Sequence, residues 1–311
     1  MCTRWPPLAP WILALAACSA CSTEAKLREA GATSYVRCIA APDAADRDGQ
    51  LGDVRFQLRA RELILRPSKL PLRIGAFSGA GFGAAPTAHE LALLRDSGAE
   101  LFLLLGGLGD REALAKTVLE RVVGLGRPVL LLLGGRDTWG ISRKAVDALA
   151  DSSGIIDATI LRRIRVGNNS LVPVAGADQG RYVSSPDGCG FGQTDLDTAA
   201  QQLGTKSPSE RRWLVSWQAA AGWEGLPGAA QSDTGLDLGS YELSRFGRRI
   251  GADGALSAWP AGRADRLAPG PLVARVVPRA FGPRSERPDG GRAAPGVLLL
   301  ELDDQGLRVV R

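Results

Sequence analysis

A single histidine, His89, stands among 311 residues. Imidazole is the commonest metal ligand, so a centre that draws three or more ligands from histidine cannot be assembled here. Lysine is scarce too: 38 residues are basic and nearly all are arginine, set against 33 acidic ones for a net charge of +5. The arginines are scattered over predicted helices, strands and loops, with no run interleaved with aromatics on which bases could stack. No nucleic-acid partner is expected, and the charge reads as a solvated surface. The 39 glycines and 19 prolines together stay below the roughly 25–30% of low-complexity chains, and 45% hydrophobic with 23% charged residues is globular usage. Disorder and a collagen repeat are excluded.

The first segment reads as an address. Arg4 supplies a positive end and Trp11 to Leu15 an apolar run, too short for the roughly 20 residues of a bilayer-spanning helix. The run ends in Leu15-Ala16-Ala17-Cys18, which resembles the bacterial lipobox, where small residues admit the peptidase and the cysteine sulfur takes a diacylglycerol before cleavage. Residues 1–17 are then a lipoprotein signal peptide and Cys18 the lipidation site. The competing readings are an ordinary signal peptide cut after Ala17 or Ala20, and acylation at Cys21. Acyl chains contribute about 0.8 kcal/mol per buried methylene, so more than one chain ties a soluble domain to a lipid membrane without spanning it. Ser19 after the cysteine resembles the sorting pattern for the outer membrane of the cell envelope. In that oxidising compartment Cys21, Cys38 and Cys189 remain. A Cys38 to Cys189 disulfide with Cys21 free is one expectation, three unpaired thiols the other.

Residues 18–50 read as a tether and 51–311 as one α/β domain. Val54, Phe56 and Leu58, then Leu63 and Leu65, alternate with polar residues as a strand pair does. The pattern then predicts strand Leu72 to Phe77, helix Pro86 to Ser97, strand Leu101 to Leu105, helix Arg111 to Gly124, strand Val129 to Leu133 and helix Ser142 to Ala150. Two of these strands carry no polar face, as strands covered on both sides by helices do. Ile160 to Val166 and Leu171 to Val174 flank the turn Gly167-Asn168-Asn169. Helix Thr194 to Leu203, opened by its threonine hydroxyl, strand Trp213 to Trp217, helix Tyr241 to Ile250 and strand Ala255 to Ser257 follow. Leu272 to Val277, Gly296 to Leu302 and Leu307 to Val310 are late strands, with residues 284–294 a loop.

In open α/β sheets the chemistry lies where strands end. Those ends read Ser78-Gly79-Ala80-Gly81, Gly106-Gly107-Leu108-Gly109-Asp110, Gly134-Gly135-Arg136-Asp137, Ser216-Trp217-Gln218 and Ser257-Ala258-Trp259-Pro260. Their order and spacing over roughly residues 72 to 262 resemble the calcineurin-like metallophosphoesterase family. That resemblance implies a two-sheet sandwich flanked by helices, a four-layer αββα arrangement. It also implies two metal ions held by carboxylates, asparagine and histidines at the strand ends. Carried over position by position, the ligands fall on Gly79, Gly81, Gly107, Gly135, Arg136, Trp217 and Trp259, and only Asp137 matches. Glycine offers no side-chain donor, and a guanidinium repels a cation while suiting a phosphate or carboxylate. The expectation is therefore a degenerate domain with no metal, no cofactor and no catalytic residue, a binding or scaffolding module with an envelope protein as partner. The alternative is a hydrolase or phospho-ligand-binding protein with rewired chemistry through Arg136, Asp137 and Asp110.

Trp217 and Trp259 read as plugs in the emptied cleft, or else as the lining of a sugar or peptide groove. For Gly106, Gly109 and Gly134 a tight turn explains the glycine. The 79–84 loop also fits a loose dinucleotide turn, but Glu100, the acidic residue at the needed spacing, precedes its strand instead of ending it. Ser78 and Ser216 end strands without a base beside them, since His89 falls within a helix.

Overall fold

The computed structural model describes residues 35–40, 46–78, 88–149, 154–178, 182–183, 187–221, 239–259, 272–275 and 298–310. The compact unit begins at Tyr35. The signal segment, Cys18, Gly79, Gly81 and the 284–294 loop lie outside the described residues.

Among the described residues the strands are β1 (Arg47–Leu51), β2 (Val54–Arg59), β3 (Glu62–Pro67), β4 (Leu72–Phe77), β5 (Leu101–Leu105), β6 (Val129–Leu132), β7 (Ile155–Asp157), β8 (Arg163–Val166), β9 (Asn169–Val174), β10 (Arg211–Gln218), β11 (Gly254–Trp259), β12 (Leu272–Arg275), β13 (Leu298–Asp303) and β14 (Gly306–Val309). The helices are α1 (Ala88–Asp96), α2 (Glu112–Val123), α3 (Trp139–Asp147), α4 (Gln193–Leu203) and α5 (Tyr241–Arg249). One sheet has the order β14-β13-β4-β5-β6-β7, the other β1-β2-β3-β8-β9-β10-β11-β12. Strands β4 to β7 run parallel, as the β4-α1-β5-α2-β6 alternation demands. Strands β9 to β12 are likewise parallel. The architecture is an α/β sandwich of two sheets with helices outside.

Burial follows side-chain period. Strands β5 and β6 are buried along their whole length, so both faces are covered. In β10, Trp213, Val215 and Trp217 join the core shared by both sheets, whereas Leu214 packs with Val172, Val174, Leu196, Leu243 and Phe246 beneath α4 and α5. A two-residue period thus sends alternate side chains into different layers. Helix α2 buries Ala115, Val118, Leu119 and Val122, the spacing of one helical face.

Some elements differ from the sequence expectation. Strand β1 lies almost wholly in residues assigned to the tether; its sequence Arg-Asp-Gly-Gln-Leu gives no hydrophobic alternation, and backbone pairing with β2 defines it. Strand β7 has only three residues and pairs with β6. Helix α3 opens at Trp139, three residues before the expected Ser142. Helix α4 is opened by Gly192, whose amide donates to Asp195 at 3.0 Å, not by a threonine hydroxyl.

Residues 35–40 form a strap. Val36 donates to Gly188 O and accepts from Gly190 N, both at 2.9 Å. Arg37 pairs with buried Asp195, and Cys38 is disulfide-bonded to Cys189, with Cα atoms 5.5 Å apart across 151 positions of sequence. Tyr35 lies against Gly190 so closely that a Cβ there would overlap its ring. No helix among the described residues is long and apolar enough to cross a membrane.

Candidate functional site

The carboxyl ends of the two sheets meet at Trp217, near the end of β10. Its side chain is buried at 5% exposure and lies over the ends of β5 and β6. A Cβ added at Gly106 would fall 2.5 Å from Trp217 Cδ1, and one at Gly134 would fall 2.6 Å from Cγ. Gly106 also has a left-handed backbone, with φ +66°. Gly134 does not, so the ring, and not the turn, requires glycine at that position. Indole stacked on bare backbone fills the interval between the strand ends. The environment of the Trp259 side chain lies outside the described residues.

Asp137 follows β6 and is buried at 1% exposure. Its carboxylate accepts from Gly134 N at 2.8 Å, Gly109 N at 2.9 Å and Gly107 N at 3.0 Å. The β5–α2 loop can present these amides because Gly106, Gly107 and Gly109 all have positive φ, which turns successive N–H groups toward one point as in an anion-binding nest. Burial pushes the Asp137 carboxyl above its ordinary value, and the amides of Gly134, Gly109, Gly107 and Leu108 pull it back. Asp137 is therefore a brace between two loops, neither solvated nor turned to a ligand. The rewired phospho-ligand reading loses this residue: its oxygens already bind backbone. Arg136 is half-buried and Asp110 is exposed.

Of the other positions that the sequence resemblance singled out, Gly107 has φ +92° and gives its amide to Asp137. A Cβ at Gly135 would overlap the carbonyl oxygen of Tyr182. The residues present do not fit a dinuclear metal centre: hydrogen atoms, an indole and a guanidinium stand where oxygen and nitrogen donors are needed. Among the described residues no three His, Cys, Asp or Glu side chains are grouped as a metal site.

Sequence reading missed a second polar cluster at the ends of β9 and β10. Gln218 Nε2 donates to Asp178 Oδ1 at 2.7 Å, while Asp178 N returns a bond to Gln218 Oε1 at 2.9 Å. Ser240 donates its hydroxyl to the other Asp178 oxygen and accepts from Leu243 N at 3.0 Å, capping α5. The available signal was a serine directly before a helix; its partner 62 positions away was not legible.

These features define the class of protein as a two-sheet α/β sandwich in which the buried strand-end carboxylate Asp137 is bound to backbone. No family model matches the chain. No curated protein matches it either. Among solved structures, the protein TT1561 of Thermus thermophilus is similar with a TM-score of 0.44 at 11% identity, covering 62% of this chain and 83% of that one. A second solved structure has a TM-score of 0.53 at 10% identity and covers 78% of this chain and 99% of its own. The second supports the fold alone.

Proposed function

We propose that the chain is a lipoprotein of the bacterial envelope, anchored through acylated Cys18 and carrying a degenerate metallophosphoesterase-like domain that serves as a binding or scaffolding module. The observation that carries the reading is Trp217: its ring occupies the interval between Gly106 and Gly134, next to the emptied positions Gly107 and Gly135. Metal-assisted hydrolysis needs an ion to polarise the phosphoryl group and to lower the pKa of the attacking water. Glycine and indole supply no ligand for such an ion. The retained Asp137 holds the β5–α2 loop in shape, which explains how the fold outlasts the chemistry. The lipobox-like Leu15-Ala16-Ala17-Cys18 supports the anchor, and Ser19 supports the outer membrane.

Two measurements on the full chain test this. Elemental analysis with a phosphodiester assay is expected to give no stoichiometric Mn, Fe or Zn and no hydrolysis; a loaded, active protein overturns the degenerate reading. Labelling of the expressed chain with radioactive palmitate is expected to disappear in Cys18→Ala, and label retained in that variant overturns the anchor at Cys18.

A further inference from the structure

At the opposite end of the six-stranded sheet, where β4, β5 and β6 begin, the described residues line a half-open cleft of about 450 Å³, within the range of small-molecule sites, roughly 300–1,000 Å³. Its walls are the β1–β2 turn, the β3–β4 connection, and the loops before β5 and β6. Five charged side chains line it: Asp53, Lys69, Arg73, Glu100 and Arg127.

Three of the five are engaged. Glu100 accepts from Arg73 N at 3.1 Å and lies 3.6 Å from Lys69 Nζ. Arg73 Nε donates to Glu301 at 3.1 Å, so these charges are largely neutralised within the fold. Asp53 and Arg127 are different. Among the described residues neither side chain has a hydrogen-bond or ion-pair partner. They belong to adjoining segments of the lining, since a Cβ on Gly52 would lie 4.0 Å from Pro128 Cδ. Both side chains are exposed, and the two opposite charges do not come within 4 Å of each other.

We propose that this cavity binds a small zwitterion of the amino acid or short-peptide class, its carboxylate toward Arg127 and its ammonium toward Asp53. A simple anion would satisfy the guanidinium and leave Asp53 facing it; a simple cation would do the reverse. A ligand carrying both charges on a short frame complements both groups, and the apolar side chains of Val54, Leu70, Pro71 and Pro128 offer contact for its carbon skeleton. An arginine fork suits a carboxylate in two-point contact. The site depends neither on the lipid anchor nor on the emptied strand ends.

The test is calorimetric titration of the full chain in detergent with alanyl-alanine, its N-acetyl form, its C-terminal amide and inorganic phosphate. The free dipeptide is expected to bind, and blocking either terminus to weaken binding about fivefold, the scale of one partly exposed ion pair. Arg127→Ala is expected to abolish the penalty for the amide, and Asp53→Asn the penalty for acetylation. Absence of dipeptide binding overturns the proposal. So does equal affinity for free and blocked dipeptides, or phosphate binding tighter than the dipeptide in an Arg127-dependent way, which defines a plain anion site. Either variant's fold is checked by its unfolding midpoint, and Lys69→Ala, which leaves both unpaired groups in place, is expected to keep the preference for the free dipeptide.

Discussion

The two ends of the six-stranded sheet are built on opposite principles. At the carboxyl end, Trp217 fills the interval between Gly106 and Gly134, and Asp137 spends its oxygens on Gly107, Gly109 and Gly134. At the amino end a cavity stays open, with Asp53 and Arg127 on its walls and, among the described residues, no partner for either. Asp137 at the first end is bound to backbone, whereas Asp53 and Arg127 at the second are exposed. Among the described residues, the interval between the ends of β5, β6 and β10 is core.

The largest expected effect comes from taking the indole away. Trp217→Ala leaves a void over two glycines and is expected to lower stability by about 3–5 kcal/mol, the range for buried aromatic truncation; denaturant unfolding checks it. A loss below about 1 kcal/mol would mean that Trp217 is no part of the core and would erase the contrast between the ends.

Next is the strap. The Cys38–Cys189 bond closes a loop of 151 positions, and removing a native disulfide costs about 2–5 kcal/mol. The paired Cys38→Ser and Cys189→Ser variant is expected to unfold at correspondingly lower denaturant. The ends should keep their character, with no gain of dipeptide binding or metal.

Acid stability sharpens the comparison from the amino end of the other sheet. Burial alone would raise the Glu210 carboxyl, but hydrogen bonds from Arg212 and Ser170, with the charges of Arg212 and Arg163, bring it down to about 2. Because the folded value lies below the unfolded one, its stabilisation is complete above the ordinary value of 4.5 and is lost as pH falls from there toward about 2. The contribution is of the order of 3 kcal/mol at neutral pH. Glu210→Gln is expected to flatten the acid slope of the unfolding free energy, and an unchanged slope would assign it to other carboxylates.

Smallest is the effect of the two unpaired charges. Arg127→Ala and Asp53→Asn are each expected to change stability by less than about 0.5 kcal/mol, as exposed side chains without partners do. A larger loss by chemical unfolding would show that they brace the fold as Asp137 does, and the two ends would then be alike.

Much of the scaffold was legible. The runs Leu101 to Leu105 and Val129 to Leu132 announced strands covered on both faces, and Pro-Val-Leu-Leu-Leu-Leu-Gly-Gly placed the glycines at a strand end. Strand β1 was not legible, because its only qualification is hydrogen bonding to β2. Nor was the reason for Gly134: a turn was expected, and a ring from 83 positions away along the chain decided it. The Asp178–Gln218–Ser240 cluster joins three separate segments and leaves no local pattern.

Sequence by itself determined which atoms are missing. Seven ligand positions of the resembled family hold glycine, arginine or tryptophan, and no folding can give glycine a donor. Tertiary structure decided what took their place. Only packing brings an indole from one sheet onto the glycines of the other, turns three amides toward one carboxylate, and places Asp53 and Arg127 on the lining of one cleft. Side-chain chemistry is local and is written in each residue, whereas contact and burial depend on distances that the chain sets only once both sheets have closed.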